Sequence, residues 1–263
     1  MFAKYKISID DVRNINNRNK CSVSRLQYIN NSLQDDSTDE IKLLLESGGG
    51  IIDGEKIKTE FFPTKFKEQY NVFISHSHGD IKEIEHFACV LNEKYGVRCF
   101  VDSMIWKNVA DLQKEIDSKY SKNANGKLDY RLVRQSTAHI HSLLSIALFE
   151  MIDQCECCIF VQSDNSLRLD FNDTTTMSPW IYEEIFYMNH TKRVYPTRIP
   201  KEKLHSILTE SNMVDRQIKM THVVDLSKFR VLSLDYFKAY LTGAEFLNHI
   251  YWKSGLMDCS ING

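Results

Sequence analysis

Residues 71–80, NVFISHSHGD, carry the densest cluster of chemically useful side chains in this chain. His76, His78 and Asp80 stand at alternate positions, and all three are of types that bind a divalent metal and let it activate water. The same stretch also reads as an apolar strand, Val72-Phe73-Ile74, running into a polar loop and then a helix. On that reading Ser75, His76 and Ser77 line a ligand pocket at the end of a strand. The two readings need different chemistry, and the rest of the chain favours the second.

A catalytic zinc normally takes three protein ligands. The His-x-His-x-Asp run resembles the start of the metal site in metallo-β-lactamase-like hydrolases, where a further His follows the Asp. Here that position is Ile81, followed by Lys82. Asp80 has a competing duty, since Glu83 three residues on makes it a helix N-cap signature. The later histidines, His139, His141, His190, His205, His222 and His249, form no second ligand cluster, so no metal is expected. Cys155-Glu156-Cys157-Cys158 lacks the second cysteine pair of a structural zinc site and reads as buried small hydrophobes opening a strand.

A second candidate lies at 178–184, SPWIYEE. Pro179 suits the first turn of a helix. At ~100° per residue, Trp180, Ile181, Tyr187 and Met188 fall within about 60° of Glu184. Glu184 is therefore expected in the middle of an apolar stripe, with Glu183 at its edge. A carboxylate there is costly unless it is paired, protonated or facing a cavity. A functional acid would explain that cost; the alternative is a Glu over the first helical turn, where the dipole favours acids.

The elements that position these residues alternate. Strands are expected at 72–74, 97–101, 157–161, 194–195 and 223–224. Helices are expected after Asp80 (Ile84, Phe87, Ala88, Leu91 and Tyr95 in one stripe, ended by Gly96), through Ile140–Met151, from Pro179, and over 234–254. Residues 163–177 read as a long loop. Strand–helix alternation predicts a parallel sheet with helices on both faces. Before it, residues 1–63 read as an extension outside the sheet, with a helix near 38–46, a Gly48-Gly49-Gly50 link and a hairpin around Asp53-Gly54.

With 263 residues, 43% hydrophobic and 26% charged, the composition is that of an ordinary globular protein. A net charge of −2 gives no basic field for nucleic acid. The most apolar long stretch, 138–161, holds too many polar groups to span a membrane. Seven cysteines without a spaced framework fit a reducing, cytoplasmic setting.

Three pieces in order resemble TIR domains: VFISHSHGD, then Asp102-x-x-x-Trp106 after the second strand, then Ser178-x-Trp180-x-x-x-Glu184. The second is similar to bacterial TIR proteins of Thoeris anti-phage systems; the third resembles the helix start that carries the catalytic Glu of TIR NADases. The resemblance covers about residues 70–230. It implies a flavodoxin-like α/β fold with a five-stranded, mostly parallel sheet, as a TIR domain over 64–263 following the 1–63 extension. It further implies an enzyme that cleaves the nicotinamide–ribose bond of NAD⁺, with NAD⁺ as substrate and no cofactor. Glu184 is then the catalytic acid, and Ser75, His76, Ser77, Asp102, Trp106 and Trp180 line the substrate pocket. Each of those six has an ordinary alternative as loop polarity or packing, and Trp180 reads more readily as packing.

The same resemblance implies an ADP-ribose-derived signal read by a separate effector, an infection-derived trigger, and homo-oligomerisation on activation through segment 103–111. The apolar residues Met104, Ile105 and Trp106 of that segment read either as the interface or as folding back onto the domain's own core. The rival function from another class is a non-catalytic TIR adaptor. His139 and His141, at the start of the long helix, read as solvated positions.

Overall fold

In the computed structural model the described residues are 1–19, 21, 52–66, 69–106, 109–170, 173–199, 222–237 and 240–257. They fall into two compact units: Met1–Val23, Tyr70–Phe100 and Ile152–Gly263 form the first, and Ser24–Gln69 with Val101–Met151 the second.

The first unit is built on a five-stranded sheet. Its strands are β1 (Ala3–Ser8), β2 (Val72–Ser75), β3 (Cys99–Phe100), β4 (Cys157–Gln162) and a last strand at Arg230–Val231, here β8. The spatial order is β3-β2-β4-β1-β8, and every pairing is parallel. β4 is central, and its CCIFV run is buried throughout, as a strand covered on both faces must be. In β1 buried and half-buried residues alternate, with Tyr5 and Ile7 on one face and Lys4 and Lys6 on the other.

Helices cover both faces. On the Tyr5 face lie α1 (Ile9–Arg18), α3 (Ile81–Tyr95) and α8 (Gly243–Lys253). Tyr5 donates to or accepts from Ser254 just beyond α8, Tyr95 stacks on Phe246 at 4.1 Å, and Asn16 Nδ2 donates to Glu83 O. On the Lys4 face lies α7 (Pro179–His190), where Lys4 Nζ donates to Met188 O and Asn189 Oδ1. Ser178 caps α7 by accepting from Ile181 N, and Gly96 ends α3 with φ of 60°, a conformation glycine adopts without penalty. A separate antiparallel sheet joins β5 (Arg168–Asp170), β6 (Asp173–Thr176) and β7 (His222–Val223).

The second unit contains α2 (Gly54–Phe61), a short α4 (Asp102–Ile105), α5 (Val109–Tyr120) and most of α6 (Tyr130–Gln154). Lys58 and Thr64 both donate to Glu150 of α6, and Gln113, Ser121 and Ser136 converge on Asp117.

Several expectations are corrected. Residues 1–63 are not wholly outside the sheet: β1 lies between β4 and β8. Asp53-Gly54 is a helix start rather than a hairpin turn, because Asp53 accepts from Lys56 N as an N-cap. Residues 194–195 form no strand, although Val194 N donates to Met1 O. The strand at 222–223 belongs to the small sheet, and Arg230–Val231 takes the outer place in the large one. The 163–177 loop contains β5 and β6. The expected helix near 38–46 and the Gly48-Gly49-Gly50 link lie outside the described residues.

The cysteine expectation changes too. Cys21 and Cys89 form a disulfide across 68 residues, with Cα atoms 6.2 Å apart. Cys99, Cys155, Cys157 and Cys158 are free and buried, and burial pushes all four thiols up.

Candidate functional site

Chain connectivity reverses between β2 and β4, which is where a parallel sheet is expected to leave a crevice at the carboxyl ends of its strands. From β2 the chain goes through α3 to β3 on one side, whereas β1 and β8 lie beyond β4 on the other. Such a reversal leaves the loops diverging, and parallel sheets bind ligands there. Counted from β2, the order β3-β2-β4 is the 2-1-3 part of a flavodoxin-like sheet. The next place is filled by the N-terminal strand β1.

Ser75 ends β2 and pairs in register with Phe160 of β4. Side chains two apart along parallel strands share a face, so Ser75 lies on the α7 side with Phe160. α7 runs antiparallel to the strands. Glu184 lies level with the carboxyl end of β2, and Met188, one turn on, lies level with Lys4. Ser75 Oγ donates to Glu184 Oε2 at 2.5 Å, and the two residues are 0% and 4% exposed. The buried face of α7 is Ile181, Glu184, Ile185 and Met188, while Glu183 is half-buried. At ~100° per residue, Met188, Ile181 and Ile185 stand about 40°, 60° and 100° from Glu184 on one side. Trp180 and Tyr187, on its other side, are half-buried. Glu184 is therefore buried as expected, but at one edge of the fully buried face rather than in its middle. The negative charge of Glu184 also contributes, after burial and Cys155, to keeping the Cys158 thiol protonated.

Asp80, 3% exposed, is a second acid at this end of the sheet. It accepts from Ser163 Oγ at 2.5 Å and Asn165 Nδ2 at 2.7 Å, both in the turn after β4. Asn165 packs so closely on Gly79 that a Cβ there would meet its Nδ2 at 3.1 Å. Asp80 does stand at the N-cap position of α3, but its carboxylate makes no cap hydrogen bond. The capping role is overturned because the β4 turn offers it two side-chain donors. Neither Ser163 nor Asn165 was singled out from sequence, since nothing local ties them to a residue some 83 positions earlier.

His76 is buried with Nδ1 3.3 Å from Ile74 O, Ser77 is half-buried before a short turn of 3₁₀ helix, and His78 is exposed. His76, His78 and Asp80 do not converge: among the described residues only Cys21, Cys89 and Glu93 bring three ligand atoms within 4.8 Å of one another. Two of those are the disulfide cysteines.

Trp180 is half-buried in the first turn of α7. Asp102 and Trp106 belong to the second unit. Trp106 is 5% exposed; its Nε1 donates to Pro63 O at 3.1 Å and its ring meets Phe62 edge-on at 5.7 Å. Met104 is buried as well. The expected apolar surface at 103–111 is therefore corrected for these two residues: the Trp106 side chain has partners in its own unit, and Met104 is buried. His139 is exposed, and His141 is half-buried beside Ser145.

Of the sequence-derived set, Ser75 and Glu184 meet in one hydrogen bond, with His76 and Ser77 following Ser75 in the chain. Asp80 meets Ser163 and Asn165 in a separate cluster at the same end of the sheet, and Asp102 and Trp106 belong to the other unit. Among the described residues no helix is long and apolar enough to cross a membrane. No family model, curated protein or solved structure matches this chain.

Proposed function

We propose that this protein is a TIR-type enzyme that cleaves the nicotinamide–ribose bond of NAD⁺, with Glu184 as the catalytic carboxylate. The observation that carries this reading is the placement of a buried acid at the carboxyl end of a parallel sheet, held by Ser75. Nicotinamide departs neutral from a cationic ribosyl–pyridinium, so positive charge builds on the ribose ring. A fixed carboxylate beside the ring stabilises that charge and accepts hydrogen bonds from the ribose hydroxyls. Ser75 fixes the carboxylate orientation, His76 and Ser77 lie next to it along the chain, and Asp80 ties the loop after β2 to the turn after β4.

The product is an ADP-ribose derivative, and its role is that of a signal for a separate effector in anti-phage immunity, produced after an infection-derived trigger and self-assembly. Incubating the full chain with NAD⁺ and resolving the products by mass tests the reaction: nicotinamide should appear together with ADP-ribose, a cyclic isomer or a conjugate.

One observation favours a second reading, a non-catalytic TIR adaptor. Glu184 is 4% exposed, and Ser75 already partners one of its oxygens, which also suits a structural pair inside the fold. Absence of nicotinamide release with the fold intact, under conditions where the chain binds another TIR-like partner, would select it.

A further inference from the structure

The first unit holds a second concentration of unmet chemistry at the opposite end of its sheet. A cavity of about 570 Å³ opens there between the start of β1, the segment after α7 and the loop that leads into β8. Lys4, Arg193, Lys228 and Arg230 stand in its wall, which includes no acidic residue among the described residues. The nearest carboxylate on the β8 loop, Asp225, accepts two hydrogen bonds from Ser227.

The four cations are unequally satisfied. Lys4 is held by Met188 O and Asn189 Oδ1, and Arg230 Nη1 donates to Ser254 O. Arg193 lies over the rings of Phe2 and Tyr195, at 4.8 and 5.1 Å. Its Nε and Nη2 are buried and have no hydrogen-bond partner among the described residues, and Thr191 Oγ1 beside it is in the same state. Buried polar groups are nearly always paired, and an orphaned charged donor is the costly exception. The cations also crowd one another. Lys4 is pushed down to about 8, first by burial and then by Lys228.

We propose that this cavity binds a phosphate-bearing small molecule, with its phosphate groups paired to Arg193 and Lys228. The volume lies within the ~300–1,000 Å³ of small-molecule sites and exceeds what a bare ion needs. A planar guanidinium offers parallel donors that match phosphate oxygens, and the half-buried Arg193 stands in the cavity wall. The rest of the wall holds Asn189, Thr191 and Ser227 together with apolar residues such as Phe2, Met188, Phe229 and Leu256, and this mixed lining suits the organic part of an ester. This site lies at the amino ends of the strands and does not depend on the reading of Glu184.

Calorimetric titration of the full chain with adenosine diphosphate, inorganic pyrophosphate, adenosine and citrate, at constant ionic strength, tests the proposal. Both phosphate probes should bind saturably and adenosine should not. Lys228→Glu should weaken both phosphate probes at least tenfold, Arg193→Gln should do the same, and Glu184→Gln should leave binding unchanged. Lys228→Glu alone decides the matter if Arg193→Gln fails to fold. The proposal falls if neither phosphate probe binds, if citrate binds as tightly, or if Lys228→Glu has no effect. It falls equally if Glu184→Gln abolishes binding and Lys228→Glu does not, because the phosphate then sits at the other end of the sheet. Failure to release nicotinamide from NAD⁺ would remove the proposed reaction and leave this site standing.

Discussion

Ser75 Oγ donates to Glu184 Oε2 at 2.5 Å, joining the last residue of β2 to the middle of α7 across 109 residues of chain. The bond links the sheet to the helix at the end of the sheet where a ligand is expected, and it makes the two residues interdependent.

The first prediction concerns the acid. Glu184→Gln keeps size and hydrogen bonding but removes the charge that would meet a developing cation. Nicotinamide release from NAD⁺ should fall on the order of a hundredfold or more, with circular dichroism unchanged. Glu183→Gln, on the half-buried edge of the stripe, should stay within a few-fold of wild type. The reverse ranking would show that the wrong acid was chosen.

The second concerns the pair. Ser75→Ala removes one hydrogen bond to a buried carboxylate, which should cost about 1–3 kcal/mol of stability. Ser75→Ala combined with Glu184→Gln should cost less than the sum of the single changes, because partners in one hydrogen bond couple. Denaturant unfolding of the four proteins measures this, and strict additivity would mean that the two side chains do not interact in solution.

The third concerns Lys4, whose folded pKa lies near 8 against an ordinary 10.5, through burial first and Lys228 next. Arg193 pushes in the same direction, while Cys158 and Asp225 oppose it. Between those pH values the unfolded chain holds the extra proton, so stability rises with pH across the window. The cost of burying the charge is fully present below pH 8 and is relieved toward 10.5. It amounts to at most about 3 kcal/mol, from 1.36 kcal/mol per unit of pKa. Wild type minus Lys4→Met, compared by thermal unfolding at pH 7.5 and 10, should shift in favour of wild type at the higher pH. A difference independent of pH would place the Lys4 charge in water.

The fourth concerns Trp106. Its burial against Phe62 and its bond to Pro63 O make Trp106→Ala a core truncation, expected to cost about 3–5 kcal/mol. Chemical denaturation reads the loss directly. Full stability in a variant that no longer assembles would instead return Trp106 to an intermolecular surface.

Much of the site was legible because its signals are local. The CCIFV run had to be a strand buried on both faces, and the phase of Pro179-Trp180-Ile181-Tyr182-Glu183-Glu184 set Glu184 on the buried side whatever it packs against. What escaped was pairing at a distance. AKYKIS has the alternation of a half-buried strand, but its inner place between β4 and β8 comes only from its register with β4. Asp80 has the sequence of a helix cap, but its carboxylate went to Ser163 and Asn165, because side-chain donors brought close by the fold outcompeted the local backbone.

The sequence by itself determined the strands β2, β3 and β4, the helices α3, α6 and α7, and which acid lies on the buried face of α7, since these follow from periodicities fixed by backbone geometry. Only the tertiary structure decided that Ser75 is the partner of Glu184, that the N-terminal strand enters the sheet beside β4, and that Arg193, Lys228, Lys4 and Arg230 surround one cavity. Those relationships join residues dozens to more than two hundred positions apart. They arise from parallel register and crossover connections, whose outcome no local pattern encodes.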